Sequence, residues 1–212
     1  MKVRTDERRS AIVKEAQHLF LEMGYEGATM GELNRRIGGS KATLYGYFRS
    51  KQELFVAVTE DLAADHLAAA VAELAKLPEA GVERGLERFA QQVLVPMASD
   101  AGLALHRMIV GESGRSEVGE LFLDLGPRRC QAALTEALRA AMDRGDLQPG
   151  PADVLALQFM GLVRAEIDTR TYLRRPPPLD PAQLQAMAGR AVAMFLGGYR
   201  LPSQAAAAAD AP

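Results

Sequence analysis

Apolar residues recur along this chain at steps of three and four, so that they gather on one side of successive helices. A first helix is predicted over residues 5–23, with Ile12, Ala16, Leu19, Phe20 and Met23 on one face and Gly24 where a C-cap belongs. In the next stretch, "ATMGELNRRIGG", Thr29 stands three residues before Glu32, the spacing of a capping box, and Met30, Leu33 and Ile37 face inward. Gly38 and Gly39 end this second helix after a few turns. Ser40 is then a fresh N-cap for a third short helix, Lys41 to Phe48. Residues 51–76 read as one long helix with Leu54, Phe55, Val58, Leu62, Leu67, Val71 and Leu74 on its apolar side, ended by Pro78. Further helices are expected over 80–98, 100–113, 117–125, 127–145, 151–174 and 181–197, about nine in all, separated by Gly- and Pro-rich breakers. β-branched runs are missing and Leu, Ala, Glu and Arg dominate, so the fold class is all-α. The end of the chain, residues 199–212, is low in complexity and reads as a disordered tail.

Two short helices joined by a glycine turn make a helix-turn-helix, whose second helix can lie in a DNA major groove. The stretch "SKATLYGYF" divides well for that task. Leu44 and Phe48 are four apart and face the core, which leaves Lys41, Ala42, Thr43, Tyr45, Gly46 and Tyr47 outside. Lys41 can donate to guanine acceptors or phosphate, and Thr43 offers a hydroxyl and a methyl to base edges. The tyrosine hydroxyls reach phosphate oxygens, and Ala42 and Gly46 let the backbone come close. Lys51, opening the next helix, can close on a phosphate from the other side. The plainer reading is a solvated amphipathic helix with incidental aromatics.

Charge adds modestly to this picture. Residues 1–55 carry 10 Lys and Arg against 7 Asp and Glu, and residues 56–212 carry 15 against 20. A basic head on an acidic body suits an anionic partner for the head, although ordinary surface scatter gives the same numbers.

The stretches "RRSAIVKEAQHLFLEMGYEGATM" and "GGSKATLYGYFRSKQELFVAV" resemble the N-terminal domain of the tetracycline-repressor (TetR) family, nearly continuously over residues 8–58. The resemblance implies a three-helix DNA-binding head over residues 1–50 and a helical effector-binding and dimerisation body over 51–198. It implies that Thr29 caps the second helix against a phosphate, with Ser40 capping the third. Lys41, Ala42 and Thr43 would contact bases, and Tyr45, Tyr47 and Lys51 would clamp phosphates. The sequence departs from the family pattern at three places. Asn34 stands where the family has a small alanine, another alanine is usual near Ile37, and Gly39 replaces a valine. A buried Asn34 needs a hydrogen-bond partner, and Gly39 removes an apolar anchor from the turn. The expectation is a recognition helix seated differently from the family norm.

In the body, residues 154–163 are apolar on every side except at Gln158, so that helix must be covered on more than one face. With the stripe on residues 181–197 it predicts a four-helix interface with a twin copy, built on Leu155, Phe159, Leu162, Leu184, Met187, Ala188, Ala191 and Phe195. A hairpin buried within its own monomer is the alternative. The stretches "HRMIVGES", "FLDLGP", "ALRAAMDRGDLQ" and "LQFMGLV" resemble the AefR-like C-terminal domain, which implies an effector pocket among the middle helices. Candidates for its walls are Leu62, His66, Phe89, Val93, Met97, Leu103, His106, Arg107, Phe122 and Phe159, largely apolar with a few polar anchors, as a hydrophobic or aromatic small molecule requires.

The three histidines have no second ligand at metal spacing, and neither a phosphate-binding loop nor a catalytic constellation is present, so no metal, no cofactor and no enzymatic activity are expected. A single cysteine, Cys130, no apolar leader and no membrane-length apolar run point to a cytoplasmic protein without a membrane partner. The expected function is a homodimeric, ligand-responsive repressor of a palindromic DNA operator. Two rivals stay open: a DNA-binding dimer without an effector, and an all-α enzyme acting on a hydrophobic small molecule.

Overall fold

A computed structural model describes residues 6–200. It holds the helices α1 (Asp6–Gly27), α2 (Met30–Ile37), α3 (Lys41–Tyr47), α4 (Lys51–Ala75), α5 (Leu77–Ala80), α6 (Val82–Ala98), α7 (Asp100–Glu112), α8 (Val118–Leu125), α9 (Pro127–Asp143), α10 (Ala152–Ala165) and α11 (Pro181–Tyr199). One 3-10 turn covers Asp168–Tyr172, and no strand occurs among the described residues. The protein is all-α. No single helix among the described residues is long and apolar enough to cross a membrane.

Three helices start at side-chain caps, α2 at Thr29, α3 at Ser40 and α11 at Asp180, and two departures from the expected bounds have local causes. Gly24, at φ +72°, interrupts α1 as a left-handed glycine does, and one further turn follows it to Gly27. Helix α10 stops at Ala165, well short of the expected 174, because the chain tightens into the 3-10 turn. There the buried Arg170 draws the following segment back, its Nη1 donating to Pro177 O at 2.6 Å. Asp180 and Gln183 form a full capping box at the start of α11, with Pro181 in the first turn. The helix runs on to Tyr199. The remainder of the expected tail, residues 201–212, lies outside the described residues.

The chain divides into two compact units, and the division does not fall at residue 50. The first unit takes the chain up to Ala64 together with Asp100–Pro127. The first three helices, two of them short, carry too little apolar surface to close a core alone. Ile12, Leu19 and Phe20 of α1, Leu33 of α2 and Leu44 of α3 therefore share theirs with Leu54, Phe55 and Val58 of α4, Leu105 and Ile109 of α7, and Val118 of α8. At its centre Phe20, Tyr25 and Phe55 meet with ring centroids 5.4–5.8 Å apart, two of the three contacts edge-on.

The second unit holds Asp65–Ser99 and the chain from Arg128 onward. Helix α6 packs on α11 and α10, and Phe89, Phe159 and Phe195 run through the core in series. Leu134 and Leu138 of α9 and Ala70 and Leu74 from the end of α4 complete it. Seven of the residues expected to meet a twin copy, Leu155, Phe159, Leu184, Met187, Ala188, Ala191 and Phe195, lie in this core, and Leu162 packs half-buried against it. Their side chains are enclosed within the monomer, as in the alternative reading of the hairpin. Both helices carry apolar residues on two sides. The outward side presents Val154, Leu157 and Gly161 on α10 and Ala193, Met194 and Gly197 on α11.

Candidate nucleic-acid interface

Helix α2 begins at Thr29, whose hydroxyl accepts from the Glu32 backbone N–H at 3.1 Å. The second half of the expected capping box is replaced. Glu32 turns its carboxylate to Arg35, at 2.6 and 2.8 Å, and to Arg36, at 2.9 Å. Those bonds, from Arg35 first and then Arg36, hold the Glu32 carboxyl down at about 2. Arg36 also reaches Glu22 at 2.7 Å and Glu15 at 3.7 Å on α1, so its guanidinium ties the second helix to the first. Acidic neighbours thus neutralise the two arginines of α2.

The turn to α3 consists of Gly38 and Gly39, both at positive φ. Ser40 then caps α3: its Oγ accepts from the Thr43 N–H at 3.1 Å and lies 2.8 Å from the Thr43 hydroxyl. Leu44 and Phe48 are buried against the core, which fixes the rotation of α3 about its own axis. Lys41, Ala42, Thr43 and Tyr45 are exposed, while Gly46 and Tyr47 are half-buried. The outer face of α3 therefore offers an ammonium, a methyl, a hydroxyl and a phenol on a helix whose inner face is locked. Such a set can donate to phosphate oxygens and to base edges.

Lys51 is differently engaged. Its Nζ donates to Tyr25 O at 2.9 Å, lies 4.3 Å from the centre of the Tyr25 ring and 3.9 Å from a Glu26 carboxylate oxygen. Tyr25 itself is buried, and that burial, helped by the charges of Glu117 and Glu26, pushes its phenol up to about 12. Arg8 was not singled out in the sequence. Its Nη2 donates to Ile37 O at 3.2 Å and to Gly38 O at 3.0 Å. No local pattern marks a residue acting across 29 positions. Asn34, half-buried, donates to Gly39 O at 3.4 Å, while its Oδ1 is buried without a partner.

The effector-wall candidates are shared between the units. Leu62, Leu103, His106, Arg107 and Phe122 belong to the first, and His66, Phe89, Val93, Met97 and Phe159 to the second. Phe89 and Phe159 are wholly enclosed, and Val93 and Met97 pack against the same core. An open cleft of about 520 Å³ in the second unit is lined by other residues, among them Gly81, Glu83, Arg84, Asp146 and Arg200. Arg200 is paired there with Glu83 at 2.6 Å, so the cleft is charged where an aromatic molecule needs apolar walls.

Comparison with known proteins agrees with the geometry of α2 and α3. Residues 12–58 match the family described as bacterial regulatory proteins, tetR family, and residues 84–201 match the AefR-like transcriptional repressor C-terminal domain. The transcriptional activator FasR of Mycolicibacterium smegmatis is 44% identical over 55 residues, 26% of this chain and 25% of FasR. The transcriptional repressor AcnR of Corynebacterium diphtheriae is 39% identical over 66 residues, 31% of this chain and 34% of AcnR. The chain thus matches about a quarter to a third of the length of these relatives. Among solved structures, the flavonoid-responsive regulator FrrA superposes with a TM-score of 0.68 at 28% identity, covering 93% of this chain and 100% of its own. With its DNA-binding segment and more than half of its length matched, the chain belongs to the TetR family, as a DNA-binding transcriptional regulator with an AefR-like C-terminal domain.

Proposed function

We propose that this regulator is a homodimeric repressor of a palindromic operator, released or recruited by an aromatic small molecule. The observation that carries the DNA-reading part is the outer face of α3. Lys41 and Thr43 project from a helix pinned by Leu44 and Phe48, and with Ala42 they face the base edges of one major-groove half-site. Tyr45 and Tyr47 bond flanking phosphates, and so does the N-terminal end of α2 at Thr29, where orphan backbone N–H groups point outward. Lys51 joins this clamp when its ammonium turns from Tyr25 to a phosphate. In this reading residues 1–50, with Lys51 at their edge, contact DNA and residues 51–198 serve effector binding and dimerisation, a functional division that cuts across the first compact unit.

A palindromic site requires a twofold dimer. The outward faces of α10 and α11, with Val154, Leu157 and Met194 open to solvent, are the surface that a second copy covers. The name of FrrA, a flavonoid-responsive protein of similar fold, supports an aromatic effector. The AefR-like transcriptional repressor match over the C-terminal half favours repression. The protein acts on DNA in the cytoplasm and carries out no catalysis.

Two substitutions separate the roles assigned on α3. Tyr45→Phe removes one phosphate donor and lowers affinity for all duplexes alike by about 0.5–1.5 kcal/mol. Thr43→Val keeps the methyl but removes the hydroxyl, and shifts the preference among operators by about 1–3 kcal/mol. Fluorescence anisotropy with matched and mutated duplexes reads both. A uniform loss in Thr43→Val would move Thr43 from base reader to backbone contact, and unchanged binding in Tyr45→Phe would remove it from the clamp.

A further inference from the structure

Three consecutive backbone carbonyls in and beside the turn between α2 and α3 are held by side chains from the preceding helices. Arg8 Nη2 donates to Ile37 O and Gly38 O, and Asn34 Nδ2 donates to Gly39 O. The turn they hold has little else to define it. Gly38 sits at φ +65° and Gly39 at φ +111°, and neither has a side chain to seat against the core. Glycine at positive φ has neighbouring conformations of similar energy, so the pair alone would act as a swivel. Ser40, the next residue, is the N-cap of α3, and a rotation at residue 38 or 39 swings the start of α3 directly.

The pattern reaches further than closing a helix end. Capping α2 needs partners only for its last carbonyls, such as Ile37 O. The bonds to Gly38 O and Gly39 O lie beyond the helix, on the two residues whose dihedral angles set the α2–α3 angle. Arg8 is half-buried in the first turn of α1, so its guanidinium holds the turn from a helix that belongs to the same core as Leu44 and Phe48. We infer that Arg8, assisted by Asn34, is a positioning residue for DNA recognition, a polar clamp that sets the angle at which α3 meets the groove. This inference rests on the reading of α3 as the groove-reading helix.

Base contacts demand a close fit of donor to acceptor, whereas phosphate contacts tolerate displacement. Loosening the clamp therefore lowers selectivity more than general affinity for DNA. The test uses the full-length protein and its selected operator, compared with an unrelated duplex of the same length. Arg8→Met keeps the apolar stem and removes the donors. It is expected to weaken operator binding about tenfold, to change binding to the unrelated duplex by less than twofold, and to leave the salt dependence unaltered. Asn34→Ala shows the same pattern more weakly. Arg8→Lys, whose ammonium can donate to both carbonyls, restores most of the selectivity. If Arg8→Met loses helix content, Asn34→Ala, which removes the donor to Gly39 O, carries the test by itself.

Two results overturn the inference. An equal loss on both duplexes, with the slope of log affinity against log salt reduced by about 0.9, makes Arg8 a phosphate contact. Full selectivity retained in Arg8→Met and Asn34→Ala, with or without a lower melting temperature, makes the clamp a helix cap only. A wild-type protein without preference for any duplex would overturn the α3 reading first, and the clamp with it.

Discussion

Replacing Leu157 and Met194 by Glu places charge on the face assigned to the second copy. Leu157 is 56% and Met194 69% exposed in the single chain, so neither substitution disturbs the monomer's core. Fully burying such a side chain contributes about 1.5–3 kcal/mol, and about half to two-thirds of that is still to be gained on association. Over two copies the lost apolar burial amounts to roughly 4–7 kcal/mol, a factor of about 10³ to 10⁵ in the dissociation constant. Each carboxylate forced under the partner adds a desolvation penalty of several kcal/mol. The double variant is therefore expected to be a monomer at micromolar concentration, with its helix content unchanged and operator binding lost. Val110→Glu is the matched control, because Val110 is 58% exposed on α7, a helix of the first unit. Light scattering coupled to gel filtration reads the mass, and circular dichroism reads the fold. A double variant that remains dimeric, or a control that dissociates equally, would refute the assignment of this face.

Two further predictions concern titratable groups. The bonds from Arg35 and Arg36 hold Glu32 at about 2, and Arg36 lowers Glu22 as well. A carboxyl depressed in the fold stabilises it above the unfolded pKa, and that stability is lost as pH falls through the folded value. The melting temperature is thus expected to fall between about pH 4.5 and 2, and Glu32→Gln to flatten part of that fall; an identical acid limb in the variant would contradict the linkage. Burial pushes the Cys130 thiol up to about 11, so its alkylation at pH 7.5 in the native protein should be about a hundredfold slower than in the unfolded chain. Equal rates would mean that the thiol is open to solvent.

The DNA-binding segment was legible because its determinants are local. Thr29 and Ser40 cap the helices that follow them, Gly38 and Gly39 break the chain between, and Leu44 and Phe48 meet the core four residues apart. Long-range relations were not legible. Nothing around Arg8 announces that it reaches the carbonyls of residues 37 and 38, and nothing around Leu105 or Val118 announces that they close the core of the first unit. The C-terminal hairpin shows the limit of periodicity most clearly. Leu155 and Phe159 alternate around α10 with Val154 and Leu157, so the pattern demands two covered faces without saying which neighbour covers each. Packing on α6 settles it for Leu155 and Phe159, which are enclosed within the monomer. The overshoot of α10 has a similar origin: the chain leaves the helix for a 3-10 turn whose Arg170 bonds Pro177 O, a contact across seven residues that helix propensity does not encode.

The central claim is that α3 reads DNA in two symmetric half-sites, and selection of bound duplexes from a random library by the wild-type protein tests it most directly. The account predicts enrichment of a palindrome whose half-sites lie one helical turn or a multiple apart, with affinity falling steeply as salt rises. Enrichment of a single asymmetric site, or of no site at all, would contradict it.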